Sequence, residues 1–235
     1  ADQDQVSFRN VRVQELSPFS DVTGSIFSAQ ISWLVNSGYA EGWTNADGTR
    51  EFRPLLPIAR DAMAAFLFRI AGETGYQAPD VSPFVDVATD DMFYREIAWL
   101  AENDISTGWV DPVTGDAEFR PLAPIGRDAM AAFLYRLAGR PAFTPPTTSP
   151  FTDVATTDPF YAEIAWLARQ RISTGWVQPD GSAQFRPFEP IARDAMAAFL
   201  HRAAGSPPLV APAIAPFADV APGAQFAAEI AWLHD

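Results

Sequence analysis

One ten-residue stretch occurs three times in this chain, as Ile58-Ala-Arg-Asp-Ala-Met-Ala-Ala-Phe-Leu67, Ile125-Gly-Arg-Asp-Ala-Met-Ala-Ala-Phe-Leu134 and Ile191-Ala-Arg-Asp-Ala-Met-Ala-Ala-Phe-Leu200. Self-similarity of this kind means stacked repeats, because one small unit cannot bury its own apolar face. In the second copy Met130, Phe133, Leu134 and Leu137 fall at helical spacing, so each copy predicts a helix with a single apolar stripe. The stripe is expected to pack and the polar Arg-Asp start to be displayed. Backbone N–H groups at a helix N-terminus lack partners and favour anions. Arg60, Arg127 and Arg193 would add a planar five-donor cation there, a match for carboxylate or phosphate. The structural alternative is a salt bridge to Asp61, Asp128 or Asp194, or to a neighbouring repeat.

The other signals keep step with this one. Phe-x-Asp-Val stands at 19–22, 84–87, 151–154 and 217–220, in steps of 65, 67 and 66 residues (84−19, 151−84, 217−151). Its Asp reads as a turn or helix cap. Each copy leads into an amphipathic helix carrying Trp33, Trp99, Trp166 or Trp232, expected in the core. Next comes Gly42-Trp43, Gly108-Trp109 or Gly175-Trp176. The glycine suits a left-handed turn, and the tryptophan is expected in a loop, where it either stacks on a sugar or covers a core edge. A turn and Phe-Arg-Pro follow, at 52–54, 119–121 and 185–187, and the repeated helix then runs to a glycine stop at Gly72, Gly139 or Gly205. Proline-rich segments such as 141–150 and 207–212 read as extended straps.

These spacings divide the chain into a lead-in (1–18), full repeats at 19–83, 84–150 and 151–216, and a partial fourth repeat at 217–235 that contains a first helix only. A lone repeat cannot offset its own ordering entropy, so one cooperative unit with a shared core is expected.

The formal charge of −13 argues against a nucleic-acid partner, which needs a basic face. With no cysteine, disulfides, thiol nucleophiles and zinc-thiolate sites are excluded together. No apolar run reaches the ~20 residues of a membrane span, so no membrane insertion is expected. The polar start at residues 1–10 fits a mature N-terminus after export. His201 and His234 have no ligand spacing and read as surface residues; Asp47, Asp116 and Asp180 lack the alternating oxygens of a calcium loop. No catalytic residue, metal site or cofactor is expected.

The order Phe-x-Asp-Val, helix, Gly-Trp, Phe-Arg-Pro, Ile-x-Arg, helix resembles the S-layer homology (SLH) repeat over about residues 19 to 235. The resemblance implies an all-α fold: tandem helix-loop-helix repeats in a pseudo-threefold, three-pronged spindle with a central helix bundle. Its grooves would hold secondary cell-wall polysaccharide, often carrying a pyruvate ketal. The family's Thr-Arg-Ala-Glu arginine maps to Arg60, Arg127 and Arg193. Ala59, Gly126 and Ala192 stand at the Thr position, and Ala62, Ala129 and Ala195 at the Glu position. The acid stands one place earlier, at Asp61, Asp128 and Asp194, where it still favours the helix dipole.

The expected function is therefore a non-catalytic surface anchor on the cell wall of a Gram-positive-type bacterium, binding an acidic glycan. Arg60, Arg127 and Arg193, with Asp61, Asp128 and Asp194, would each join the loop Trp (Trp43, Trp109, Trp176) beside Gly42, Gly108 and Gly175. A self-assembling surface-layer or filament subunit is the first alternative, and a carbohydrate-active enzyme fragment the second. Trp232 and Ile230 of the partial repeat are expected to pack against repeat three or to mediate self-association.

Overall fold

A computed structural model of the chain describes residues 19–22 and 25–208. The partial fourth repeat, with Ile230, Trp232 and His234, lies outside the described residues. Each of the three repeats has a first helix, a two-stranded hairpin and a second helix. In order these are α1 (Ser28–Asn36), β1 (Trp43–Thr44), β2 (Arg50–Glu51) and α2 (Arg60–Ala71); α3 (Tyr94–Glu102), β3 (Trp109–Val110), β4 (Ala117–Glu118) and α4 (Arg127–Leu137); then α5 (Tyr161–Arg169), β5 (Trp176–Val177), β6 (Ala183–Gln184) and α6 (Arg193–Ala203).

The all-α expectation is corrected by the hairpins. Each is antiparallel, with Trp43 opposite Glu51, Trp109 opposite Glu118 and Trp176 opposite Gln184. The tryptophans expected in loops therefore begin strands. The preceding glycines do adopt the left-handed conformation, at φ 73°, 69° and 67°. A Cβ on Gly108 would lie 2.5 Å from the Glu118 carbonyl oxygen and 2.7 Å from the Phe84 ring, so close packing excludes a side chain as well.

Among the described residues the Phe-x-Asp-Val aspartates, Asp21, Asp86 and Asp153, do not cap a helix. They reach across sequence to clamp the Phe-Arg-Pro backbone. The Phe119 and Arg120 N–H groups both donate to Asp86, at 2.7 Å to each oxygen; Phe185 and Arg186 do the same to Asp153, and Phe52 and Arg53 to Asp21. The clamped arginines Arg53, Arg120 and Arg186 all sit at φ 58°. Left-handed backbone is unfavourable for a residue with a Cβ and persists only where the surroundings over-determine it. Two charge-assisted bonds from one carboxylate supply that constraint. The motif phenylalanines stack in pairs, Phe84 on Phe119 and Phe151 on Phe185, and Phe52, Phe119 and Phe185 are completely buried.

Close helix packing occurs between repeats: α2 with α3, α4 with α5, and α6 with α1. The last pair closes the chain into a ring of three inter-repeat helix pairs. Phe68 meets Trp99 edge-on at 5.4 Å, Tyr135 meets Trp166 at 5.3 Å, and His201 meets Trp33 at 5.1 Å. His201, expected at the surface, is thus a buried ring-closing residue, with Nε2 2.8 Å from the Pro207 carbonyl oxygen. At one end of the axis the three motif isoleucines form a backbone triangle. The Ile58 N–H donates to Ile191 O, Ile191 to Ile125 O, and Ile125 to Ile58 O, all at 3.0 Å. A single hydrophobic cluster runs through all three repeats.

Candidate functional site

The helix starts expected to face solvent are covered by the next repeat. The Arg60 and Asp61 N–H groups donate to Ala123 O and Pro121 O, Arg127 and Asp128 to Glu189 O and Pro187 O, and Arg193 and Asp194 to Leu56 O and Pro54 O. The donors expected to bind an anion are spent on the inter-repeat interface, because the strained Phe-Arg-Pro turn presents its carbonyls there.

The motif arginines follow their backbones inward and are only 4–5% exposed. Nε of Arg60 donates to Phe119 O at 2.7 Å, Nε of Arg127 to Phe185 O at 2.7 Å, and Nε of Arg193 to Phe52 O at 2.8 Å. In two sites a serine hydroxyl adds a weak contact, Ser106 at 3.4 Å and Ser173 at 3.5 Å; Ala40 stands at that place in the third. Burial pulls each guanidinium down to about 10, still charged at neutral pH. Neighbouring Arg120, Arg186 and Arg53 push in the same direction, while Asp86, Glu189, Asp153 and Asp21 partly oppose it.

Each buried cation lies against an indole, but of the following repeat. Arg60 is 4.3 Å from the Trp109 ring centroid, Arg127 is 4.3 Å from Trp176, and Arg193 closes the circle at 4.2 Å from Trp43. The expectation that each arginine joins the Trp of its own repeat is thereby corrected. A second arginine contacts every indole: Arg120 at 4.4 Å, Arg186 at 4.4 Å and Arg53 at 4.6 Å. These outer arginines were not among the sequence candidates, although the constant seven-residue step between them and the motif arginines was a usable signal. The indoles keep 38–42% of their surface exposed, whereas the motif arginines Arg60, Arg127 and Arg193 do not.

The structural alternative, bridges from the motif arginines to Asp61, Asp128 and Asp194, is not found among the described residues. Among the described residues the ion pairs are Arg53–Glu51, Arg120–Glu118 and Arg186–Glu189, all at the surface. The three aspartates instead accept from the next backbone N–H, of Ala62, Ala129 and Ala195. Burial raises their pKa, and that backbone bond opposes the shift. Gly126 leaves room beside Asp128, since a Cβ there would lie 2.6 Å from its Oδ1. Gly42, Gly108 and Gly175 touch the site only through the turn that delivers the indole.

A separate concavity of about 570 Å³ opens at the C-terminal ends of α2, α4 and α6, lined by Ile70, Trp99, Leu134, Arg136, Trp166 and Leu200 among others. It shares no residue with the cation–indole sites. Among the described residues no group of three or more His, Asp or Glu could hold a metal, and no helix is long and apolar enough to cross a membrane.

The fold and its sites define a tandem-repeat module, closed in a ring, with one cation–indole site at each junction between repeats. The family of S-layer homology domains matches residues 150–197, the third unit with its Phe-x-Asp-Val, Gly-Trp, Phe-Arg-Pro and Ile-x-Arg signals. The two preceding units, outside that match, repeat the same signals and the same geometry. Such domains are non-catalytic modules that associate proteins with polymers of the bacterial cell wall at the cell surface. No curated protein matches the chain.

Proposed function

We propose that the chain anchors to the wall of a Gram-positive-type bacterium after secretion, by holding an acidic secondary cell-wall polysaccharide at its three inter-repeat junctions. The observation that carries this reading is a buried guanidinium, at each junction, without an ion-pair partner among the described residues and set against a half-exposed indole. A buried charge is costly to leave uncompensated, and a negative group brought to the indole would supply the missing compensation. The indole face suits a sugar ring, the outer arginine suits a carboxylate such as a pyruvate ketal, and the polymer would span more than one site. Each contact is weak, and linkage along one polymer would raise avidity by roughly 10²- to 10⁴-fold.

The test is sedimentation with purified walls, before and after the non-peptidoglycan polysaccharide is stripped. The native chain should pellet with intact walls and stay in solution with stripped ones. Replacing Trp43, Trp109 and Trp176 together by Ala should abolish pelleting while the circular dichroism of the folded chain persists. A folded triple variant that pellets as before would sink the assignment of these junctions.

A further inference from the structure

The three junctions are built alike but charged differently. Cross-strand partners in a hairpin stand about 5 Å apart on one face, so the residue opposite each indole is its nearest lateral neighbour. That residue is Glu51 beside Trp43 and Glu118 beside Trp109, but neutral Gln184 beside Trp176. Gln184 belongs to an amide pair: Gln178 Nε2 donates to Trp176 O at 3.2 Å and lies 3.5 Å from Gln184 Oε1. The rest of each hairpin follows the same trend. Residues 109–118 carry Asp111, Asp116 and Glu118, residues 43–51 carry Asp47 and Glu51 against Arg50, and residues 176–184 carry Asp180 alone.

The outer arginine changes with its neighbour. Nε of Arg53 donates to Glu51 at 3.1 Å and Nε of Arg120 to Glu118 at 3.0 Å. In those two junctions a carboxylate of the protein already occupies part of the fork that an acidic ligand would use. Arg186 has no such partner on its strand. Its ion pair is with Glu189, 3.6 Å from Nη1 and with a side chain 57% exposed, and its Nε makes no hydrogen bond among the described residues. Glu189 thus restores the negative charge that Gln184 lacks, but on the turn and not across the strand from the indole.

On the reading that the junctions hold an acidic glycan, we propose that they are unequal: the Trp176 junction is the principal site for the acidic group, and the residue across the strand from the indole sets the rank. Trp43 comes next, and Trp109 last. A protein carboxylate about 6 Å from a bound one, at the dielectric of a wet surface, weakens binding roughly three- to tenfold. An acidic polymer therefore loads first at Trp176 and extends to the other two junctions from there.

The test uses the full chain with isotope-labelled indoles, so that each N–H signal in a nuclear magnetic resonance spectrum reports its own junction. The probe is a monosaccharide bearing one pyruvate ketal. The Trp176 signal should reach its midpoint at a concentration about three- to tenfold below that of Trp109. Gln184→Glu should remove that lead, and Glu118→Gln should tighten the Trp109 junction by the same factor, a gain that unfolding could not produce. Both effects should shrink in about 1 M salt, where screening acts within ~3 Å. Equal midpoints in the native chain, or a Trp109 midpoint unmoved by Glu118→Gln, would overturn the ranking and leave the junctions as glycan sites. If no indole signal moves with the probe, the glycan reading of the junctions fails and the ranking falls with it.

Discussion

The Arg60 guanidinium lies 4.3 Å from the centroid of Trp109, and the two residues belong to different repeats. The same relation recurs from Arg127 to Trp176 and from Arg193 to Trp43, so every site is made by two neighbours and the third needs the ring to close. Folding and binding competence are consequently coupled, and a substitution at a junction acts on both.

That coupling predicts the outcome of Arg60→Lys. Lysine keeps the charge but cannot donate through Nε to Phe119 O while facing the indole with a planar group. Stability should fall by about 1 to 3 kcal/mol, the cost of a buried carbonyl left unpaired. Urea unfolding measures it, and a midpoint equal to that of the native chain would show that the contact contributes nothing.

Asp86→Ala should be more damaging than its exposed position suggests. It removes both acceptors that hold Phe119 and Arg120, and the left-handed Arg120 loses what fixes it. The expected loss is about 2 to 4 kcal/mol, from two charge-assisted bonds partly replaced by water. A companion Arg120→Gly substitution should restore part of it in the Asp86→Ala background, because glycine accepts that φ freely. Thermal melts of the four chains form the cycle, and additive effects would refute the link between clamp and strain.

A fragment of residues 84–150 should not fold by itself. Its α3 packs on α2 and its α4 packs on α5, so both helices lose their partners when the repeat is excised. Circular dichroism should show little helix and no sigmoidal melt. A cooperative transition at the temperature of the whole chain would mean that each repeat has its own core.

The raised pKa values of Asp61, Asp128 and Asp194 carry a signed pH effect. The folded chain holds these protons more tightly than the unfolded chain, so stability from these groups is present at low pH. It is lost as pH rises from the ordinary value of 3.8 through the raised folded value. Asp→Asn at all three positions should remove that slope, and the variant should gain melting temperature relative to the native chain across this window. A difference independent of pH would show that burial of the three carboxyls has no energetic weight.

The sequence alone determined the repeat, its period, the residue types of the site and the two helices of each unit, because these rest on local periodicity and on glycine at left-handed positions. It also carried the family resemblance, since the spacing between signals survives without any knowledge of contacts. Which arginine meets which tryptophan was decided only by the tertiary structure, because the junction joins residues from successive repeats and sequence order suggests partners within one. The same holds for the Phe-x-Asp-Val aspartate, which looks like a local cap until the Phe-Arg-Pro turn is brought beside it. His201 shows the reason in one residue. As a lone polar side chain near a helix end it reads as exposed, and it is buried because the closing of the ring sets Trp33 against it.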